Sequence, residues 1–192
     1  MSSYEPKAKL TRQRNLTSYS TEIQFIGDWD RVARLLGDVP MIIDKGSKLG
    51  QQSAAKKLMK IVKHHIKTNG GELGWPSTTL KYQENKAARG FDPGRLLYMT
   101  GTYYWSIKQW EQRGRVYVGI PKGTQHPTSK LTVAEIANIL EHGSQARSIP
   151  PRPLWAPSFR QMGGSKKVRS LILWHIAAQF RLQYGISPKI TN

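Results

Sequence analysis

The chain lacks cysteine, long apolar runs and most of the usual acidic residues, and each absence excludes a class of protein. Without cysteine it has no disulfide, no thiolate nucleophile and no Cys-based zinc or iron–sulfur site. The longest apolar run begins at 171–174 and is far shorter than the roughly 20 residues that span a bilayer. Residues 1–6 lack the apolar core of a secretory signal. We therefore expect a soluble protein that does not bind to a membrane and is made in a cytoplasm.

The scarcity of acids leaves a strongly basic chain. Its 192 residues contain 30 Lys plus Arg against 12 Asp plus Glu, which gives a net charge of +18. Seven lysines lie between Asp44 and Lys67, and the segment 143–192 has eight basic residues and no acid. Such segments must face counterions, a phosphate backbone or an acidic neighbour. The composition therefore predicts a polyanionic partner.

The organisation along the chain is that of one domain preceded by a tail. Residues 1–20 are polar and basic, which predicts a flexible arm, and 21–192 is predicted to be a single α+β domain. Hydrophobic residues make up 38% of the chain, with six Trp, enough to build a core. The expected architecture is a small antiparallel β-sheet flanked by a long helix in the N-terminal half, a middle helix and a C-terminal helix.

The N-terminal half carries one short and one long helical pattern. A strand is expected at 23–26, and Asp28 is placed to cap a short helix that Gly37 and Pro40 interrupt. A long helix is predicted from about 41 to 68, and the turn-rich segment 74–94 is predicted to be a connection.

The C-terminal half is predicted to contain a hairpin and two helices. Aromatic and β-branched residues over 101–110 favour a strand that turns at 111–114 and returns over 116–120. Thr132 and Glu135 have the spacing of a capping box, which opens a helix that ends at Gly143. A proline-rich extended stretch follows over 149–157. The last helix, 165–184, has apolar residues on two sides and is expected to lie between two surfaces, one of them belonging to a neighbouring subunit.

The residues with potential chemistry do not form a pattern typical of an enzyme. Glu84-Asn85-Lys86 is an E-x-K string of the kind found in metal-dependent nucleases, but no convincing Asp precedes it. His64 and His65 are adjacent, so on a helix they point about 100° apart and cannot share an ion. No phosphate-binding or dinucleotide-binding glycine motif is present. We predict no enzymatic activity, no cofactor and no metal site; a nuclease is the weakest of the hypotheses.

Aromatic residues alternate with polar ones over 103–110, and two interpretations are open. The rings could form a stacking platform for single-stranded nucleic acid. The favoured interpretation is structural, because the alternation of Tyr103, Trp105 and Ile107 with Tyr104, Ser106 and Lys108 is what a half-buried strand requires.

An ordered series of short segments resembles a known family. The series begins with Trp75-Pro76-Ser77-Thr78-Thr79-Leu80-Lys81 and continues with Leu96-Leu97-Tyr98-Met99-Thr100-Gly101 and Ser106-Ile107. It then runs through Val116-Tyr117-Val118-Gly119, a helix ending in His142-Gly143, and Ile149-Pro150-Pro151-Arg152-Pro153-Leu154. This order is similar to that of the virion-morphogenesis and tail-completion proteins of tailed bacteriophages, which lie where head and tail join. The resemblance covers residues 41–184.

The resemblance implies a structural virion protein rather than an enzyme. It implies a homo-oligomeric ring, commonly sixfold in similar proteins, of the tail-completion or tail-terminator type at the neck, surrounding the DNA channel and contacting other neck and tail proteins. The matching positions are architectural: Trp75, Thr100, Gly101, Ser106, Gly119, His142, Gly143, Pro151, Arg152 and Pro153. Arg152 is expected to reach a carbonyl or carboxylate across the rigid proline segment.

Five lysines of the long helix are the predicted contacts to DNA in the channel or to an acidic partner: Lys56, Lys57, Lys60, Lys63 and Lys67. They lie largely off the apolar stripe of the same helix. Duplex DNA would be bound without sequence specificity. The alternative, which rests on the same charge, is a sequence-nonspecific nucleic-acid-binding protein that acts outside a virion.

Overall fold

The computed structural model describes residues 7–10, 21–24, 27–97 and 100–185. Two compact units divide the chain, Met1–Pro40 and Met41–Asn192, which we call the N-terminal and C-terminal units. Helices dominate and the strands form two small antiparallel pairs, so the predicted α+β class with a long N-terminal helix is confirmed.

The N-terminal unit contains a pair of short strands. β1, Lys7–Leu10, pairs antiparallel with β2, Thr21–Gln24. The strand predicted at 23–26 thus overlaps β2. The predicted flexible arm, 1–20, contains β1, and its other residues lie outside the described part of the chain. The predicted boundary at residue 20 does not coincide with the division at Pro40, and the flexibility of the arm stays a prediction.

A single helix, α1, runs from Trp29 to Lys67. Its start is as predicted, since the Asp28 carboxylate accepts a hydrogen bond from the backbone N–H of Arg31 at 3.0 Å. The predicted interruption at Gly37 and Pro40 is wrong, because the helix continues through both. Both residues are exposed, so water can bond the carbonyl that a proline leaves without its usual donor.

The glycines at 46 and 50 are the sites where α6, Gly164–Tyr184, packs on α1. A Cβ on Gly46 would lie 2.5 Å from the Cα of Ile176. A Cβ on Gly50 would lie 2.4 Å from the Cα of Ile172. Residues four apart lie on one face of a helix, so the two glycines form a groove that admits the α6 backbone. Glycines that weaken a helix locally here permit a close contact with α6.

The segment 101–110 contains a helix where a strand was predicted. α3 covers Thr102–Ser106 and begins after Gly101, whose φ of 76° suits a residue without a side chain. Tyr103 and Tyr104 are both buried. Consecutive residues of a strand point to opposite faces, whereas a helical turn can direct both rings into one core. Tertiary burial therefore overrides the β propensity of these residues.

The hairpin itself is confirmed. β3, Lys108–Gln112, pairs antiparallel with β4, Arg115–Gly119. The turn residues Arg113 and Gly114 have φ values of 51° and 70°, as in the two-residue turns that match strand twist. The opposed rings of Trp110 and Tyr117 stack with centroids 5.7 Å apart.

The remaining helices include two that the sequence interpretation missed. α2, Leu80–Ala88, lies in the segment predicted to be a connection. α5, Trp155–Met162, begins within the stretch 149–157 that was predicted to be extended, because Pro157 lies in its first turn, where a proline is tolerated. The middle helix α4, Val133–His142, is as predicted, and both hydrogen bonds of its capping box form. α6 also matches its prediction within one residue.

The core of the C-terminal unit lies where α1, α3 and α4 meet. Val62 and Ile66 of α1 are fully buried, and they belong to one cluster with the rings of α3 and with Leu154 near the end of the proline segment. The other members of this cluster are Trp75, Leu97, Tyr103, Tyr104, Ile107, Val133, Ala137 and Leu154. One face of α1 is therefore held in a fixed orientation by packing.

Candidate functional site

Four of the predicted lysines form a single row on α1, which we call the lysine stripe: Lys56, Lys60, Lys63 and Lys67. Their spacing of four, three and four residues places them within an arc of about 60° and over a length of about 16 Å. Lys57 lies about 100° to one side of the row. Lys63 is half-buried, and the other four lysines are exposed.

The other side of α1 is buried along the same turns. This packing fixes the rotation of the helix about its axis and keeps the lysine stripe on the solvent side. Val62 and Ile66 each have 0% of their surface exposed. Ala54 and Ala55 are also buried, two to three turns before them. Because a rigid helix carries both faces, packing of the apolar face determines the direction in which the ammonium groups extend.

Aromatic rings of α3 lie beside the C-terminal end of the stripe. The Lys63 ammonium is 5.0 Å from the centroid of the Tyr104 ring and 5.9 Å from that of Trp105. Lys67 lies 5.5 Å from the Tyr104 ring. Such contacts are worth roughly 0.5–1 kcal/mol at exposed sites, and they limit the motion of the lysine side chains. Trp105 is 64% exposed, so its ring adds a flat surface next to the cations.

The charge of the stripe is not neutralised within the described part of the chain. No described carboxylate lies within 4.0 Å of the ammonium groups of the stripe or of Lys57. Lys48 of the same helix differs, since its ammonium lies 2.9 Å from a carboxylate oxygen of Glu111 on β3. Four cations in a row repel one another, and an external polyanion relieves that repulsion.

Several of the family-like positions, although far apart in sequence, converge in the structure. The indole N–H of Trp75 donates to the backbone carbonyl of Pro153 at 2.9 Å. The Nε of Arg152 donates to the carbonyl of Pro76 at 3.0 Å, and its Nη2 to that of Ser77 at 3.3 Å. Arg152 thus reaches carbonyls across the proline segment, as expected from the sequence.

Gly143 lets the proline segment turn back onto α4. Its φ is 77°, and a Cβ there would lie 2.9 Å from the backbone nitrogen of Pro151. The backbone N–H of Arg152 then donates to the carbonyl of Leu140 at 2.7 Å. Only glycine suits this position, because both the conformation and the space exclude a side chain.

The remaining family-like positions are placed at the ends of elements. Thr100 and Gly101 precede α3, and Ser106 is buried in its last turn. Gly119 ends β4, and His142 ends α4 with its side chain exposed. Thr100 and Gly101 line the same cavity as Arg152, and Ser106, Gly119 and His142 do not.

Sequence reasoning missed two polar contacts that connect α5 to the rest of its unit. The Glu141 carboxylate accepts the backbone N–H groups of Leu154 at 2.7 Å and Trp155 at 3.3 Å, which caps the start of α5. The buried Nδ1 of His65 lies 2.9 Å from the Oγ of Ser158. Burial lowers the pKa of His65 below its ordinary value. These pairs are 13 and 93 residues apart, and no local pattern predicts them.

The E-x-K string lies on α2, and its lysine, Lys86, already has a hydrogen-bond partner within the chain. Lys86 is 1% exposed, and its ammonium donates to the backbone carbonyl of Arg95. Burial lowers the pKa of Lys86, and the charge of Asp92 opposes that effect in part. Glu84 and Asn85 are exposed. Whether the string takes part in any reaction stays untested, and our prediction of no enzymatic activity remains a prediction.

The described ranges lack two further features that would point to a function. They contain no cluster of three or more His, Asp or Glu side chains that could hold a metal ion. No helix among the same residues is both long and apolar enough to cross a membrane. The lysine stripe is therefore the feature on which a functional proposal can be built.

Comparison with known proteins adds no assignment. No family model, no curated protein and no solved structure matches this chain. The function is accordingly inferred from the geometry described above and from the order of the sequence motifs.

Proposed function

We propose that this protein is a structural subunit of a tailed-bacteriophage virion that forms a ring at the neck and contacts duplex DNA through the lysine stripe. The observation that carries the proposal is the row of four lysines on a helix whose other face is buried. About 16 Å of helix presents cations to solvent with no described carboxylate to neutralise them. Lysines held in this way attract phosphates without reading bases.

The fit to a duplex comes from shape and charge. A duplex carries one negative charge per roughly 1.7 Å of its axis, so a straight row of lysines can follow its backbone. Within a ring, each subunit would direct one stripe toward the lumen, and the summed field would attract DNA without a specific sequence. The exposed Lys57 would extend this positive surface to one side.

Assembly into a ring is supported by the surface of α6. Ile172 and Ile176 of this helix contact the glycine groove of α1. Trp174 projects to about the opposite side and is 61% exposed, and Leu173 beside it is also exposed. Exposed apolar patches of this kind mark interaction surfaces. A ring requires contacts between two different faces of identical subunits, and α6 would supply one of those faces.

Two measurements test the ring: the mass of the purified oligomer and the position of the chain in the virion. The purified chain is expected to form a closed oligomer, alone or with the adjacent neck proteins, when its mass is measured by light scattering and native mass spectrometry. Electron microscopy of particles should then place it at the head–tail junction. A chain that stays monomeric under both conditions would contradict the proposal.

The second candidate function, a sequence-nonspecific nucleic-acid-binding protein outside a virion, rests on the same stripe. Salt titration separates the two, because each neutralised phosphate adds to the slope of affinity against salt concentration. Tight binding of free duplex by the monomer, with a steep slope, favours this second function. Weak binding by the monomer that strengthens on assembly favours the ring.

A further inference from the structure

A cavity of about 700 Å³ lies in the C-terminal unit, apart from the lysine stripe. Its apolar wall includes Leu97 and three residues of α4, Val133, Ile136 and Leu140. Its polar lining includes the side chains of Thr78, Arg147 and Arg152. The volume is within the range of roughly 300–1,000 Å³ that is typical of binding pockets. We call this site the Arg152 cavity.

Arg152 is a buried cation without an anionic partner in the described part of the chain. It is 4% exposed, and its two hydrogen bonds go to the neutral carbonyls of Pro76 and Ser77. No described carboxylate lies within 4.0 Å of it. Burial lowers the pKa of this guanidinium, although an arginine stays charged at neutral pH. A buried charge is normally paired, so the cavity lacks the group that would complete it.

Thr78 gives a second, independent indication of a missing partner. Its Oγ1 is buried and has no hydrogen bond to any described atom. Buried hydroxyls nearly always have a partner, and those that do not need an explanation. Thr78 follows Ser77, whose carbonyl holds Arg152, and both Thr78 and Arg152 line the cavity.

We propose that the Arg152 cavity binds a peptide segment of a partner protein in which a Glu or Asp stands next to a bulky apolar residue. The carboxylate would pair with Arg152 and accept the hydroxyl of Thr78, and the apolar side chain would pack on α4. No acidic residue lines the cavity, while Arg147 adds a second cation. A free phosphate would leave the aliphatic wall uncovered, and a duplex is too wide to enter. The choice of a protein as the carrier of the carboxylate rests on the proposed function, whereas the chemistry of the site does not.

The test uses the full chain and two synthetic peptides, acetyl-Gly-Leu-Glu-Leu-Gly-amide and the same peptide with Gln in place of Glu. Binding is measured by calorimetry and by methyl NMR shifts of Leu97 and Val133. A charge-assisted hydrogen bond is worth at least a tenfold change in affinity, so the Glu peptide should bind roughly tenfold or more tightly than the Gln peptide. Equal binding of both peptides, or no binding of the Glu peptide, overturns the proposal.

Variants locate the site even if substitution of Arg152 prevents folding. Ile136→Trp should fill the cavity and abolish binding of the Glu peptide, and Arg147→Gln should weaken it. Arg169→Gln, which removes an exposed charge from α6, should leave binding unchanged. Binding that survives Ile136→Trp in a folded chain contradicts the location of the site. If N-acetylleucine binds as tightly as the Glu peptide, the claim that the carboxylate belongs to a peptide segment is overturned.

Duplex binding is measured in the same variants, which separates this proposal from the proposed function. Ile136→Trp should lose the peptide and keep the duplex, because the lysine stripe does not line the cavity. If the wild-type chain binds no duplex and forms no ring but still prefers the Glu peptide, the proposed function fails and the site stands.

Discussion

The two faces of the second half of α1 differ in what holds their residues in place. One face carries Val62 and Ile66, which are fully buried in the core. The other carries the lysine stripe, which has no carboxylate partner among the described residues and only the rings of α3 beside it. Packing accounts for the first face. The second contributes little to stability, and under our proposal its partner is an external polyanion.

The largest expected effect comes from truncating the buried face. Ile66→Ala should lower the free energy of unfolding by about 2–5 kcal/mol, because Ile66 is fully buried and its loss leaves a cavity in the core. Lys67→Ala, one position away on the other face, should cost less than about 1 kcal/mol, mainly through the contact with Tyr104. Urea denaturation measures both. Comparable losses would mean that the two faces do not differ in this way.

A smaller effect is expected from adding a single methyl group to the glycine groove. Gly50→Ala should destabilise the chain by about 1–3 kcal/mol, since the new Cβ would meet the backbone of Ile172 at 2.4 Å. Gly37→Ala is the matched control on the same helix, where a Cβ meets nothing within 4 Å. It should stabilise the chain by roughly 0.5–1 kcal/mol through helix propensity. Thermal or urea denaturation shows whether each variant is more or less stable than the wild-type chain. An unchanged stability of the Gly50→Ala variant would contradict the close packing of α6 on α1.

The smallest effect is a pH dependence that arises on the buried face. Burial lowers the pKa of His65 from its ordinary value of 6.5, so the unfolded chain binds a proton before the folded chain does. Stability from this group is therefore complete above about pH 6.5 and is lost as the pH falls below it, by at most about 1.4 kcal/mol per pH unit. His65→Gln should flatten the dependence, whereas His64→Gln, which removes only a lesser contribution to the same pKa shift, should flatten it much less. Unfolding measured between pH 5 and 8, a range taken from the ordinary His pKa, provides the check.

Local signals in the sequence predicted those elements that local chemistry determines. The Asp28 cap, the Thr132–Glu135 capping box, the hairpin turn and the extent of α6 follow from residues within a few positions of one another. The helical pattern likewise predicted that the lysines lie largely off the apolar stripe of the long helix. These features need no knowledge of the rest of the chain.

Errors arose at an exposed proline and where distant segments decide the structure. α1 continues through Pro40, where the sequence predicted an interruption. α3 is a helix because two consecutive tyrosines are buried in one core. The Arg152 cavity joins segments near 77, 97, 133 and 150, and no spacing in the sequence indicates that they meet. For α3, tertiary burial outweighs local propensity.

The central claim, that the lysine stripe contacts duplex DNA, is tested most directly by comparing two variants of equal net charge. In one, all four lysines of the stripe are replaced by Gln. In the other, four exposed lysines elsewhere, Lys81, Lys108, Lys122 and Lys130, are replaced by Gln. The affinity for one duplex is measured over a series of salt concentrations.

We expect the stripe variant to lose about three to four units from the slope of log affinity against log salt, roughly one for each lysine. The control variant should keep the slope of the wild-type chain. Equal losses in the two variants would show that the net charge of +18 acts as a whole, and would contradict a defined DNA-contacting face on α1.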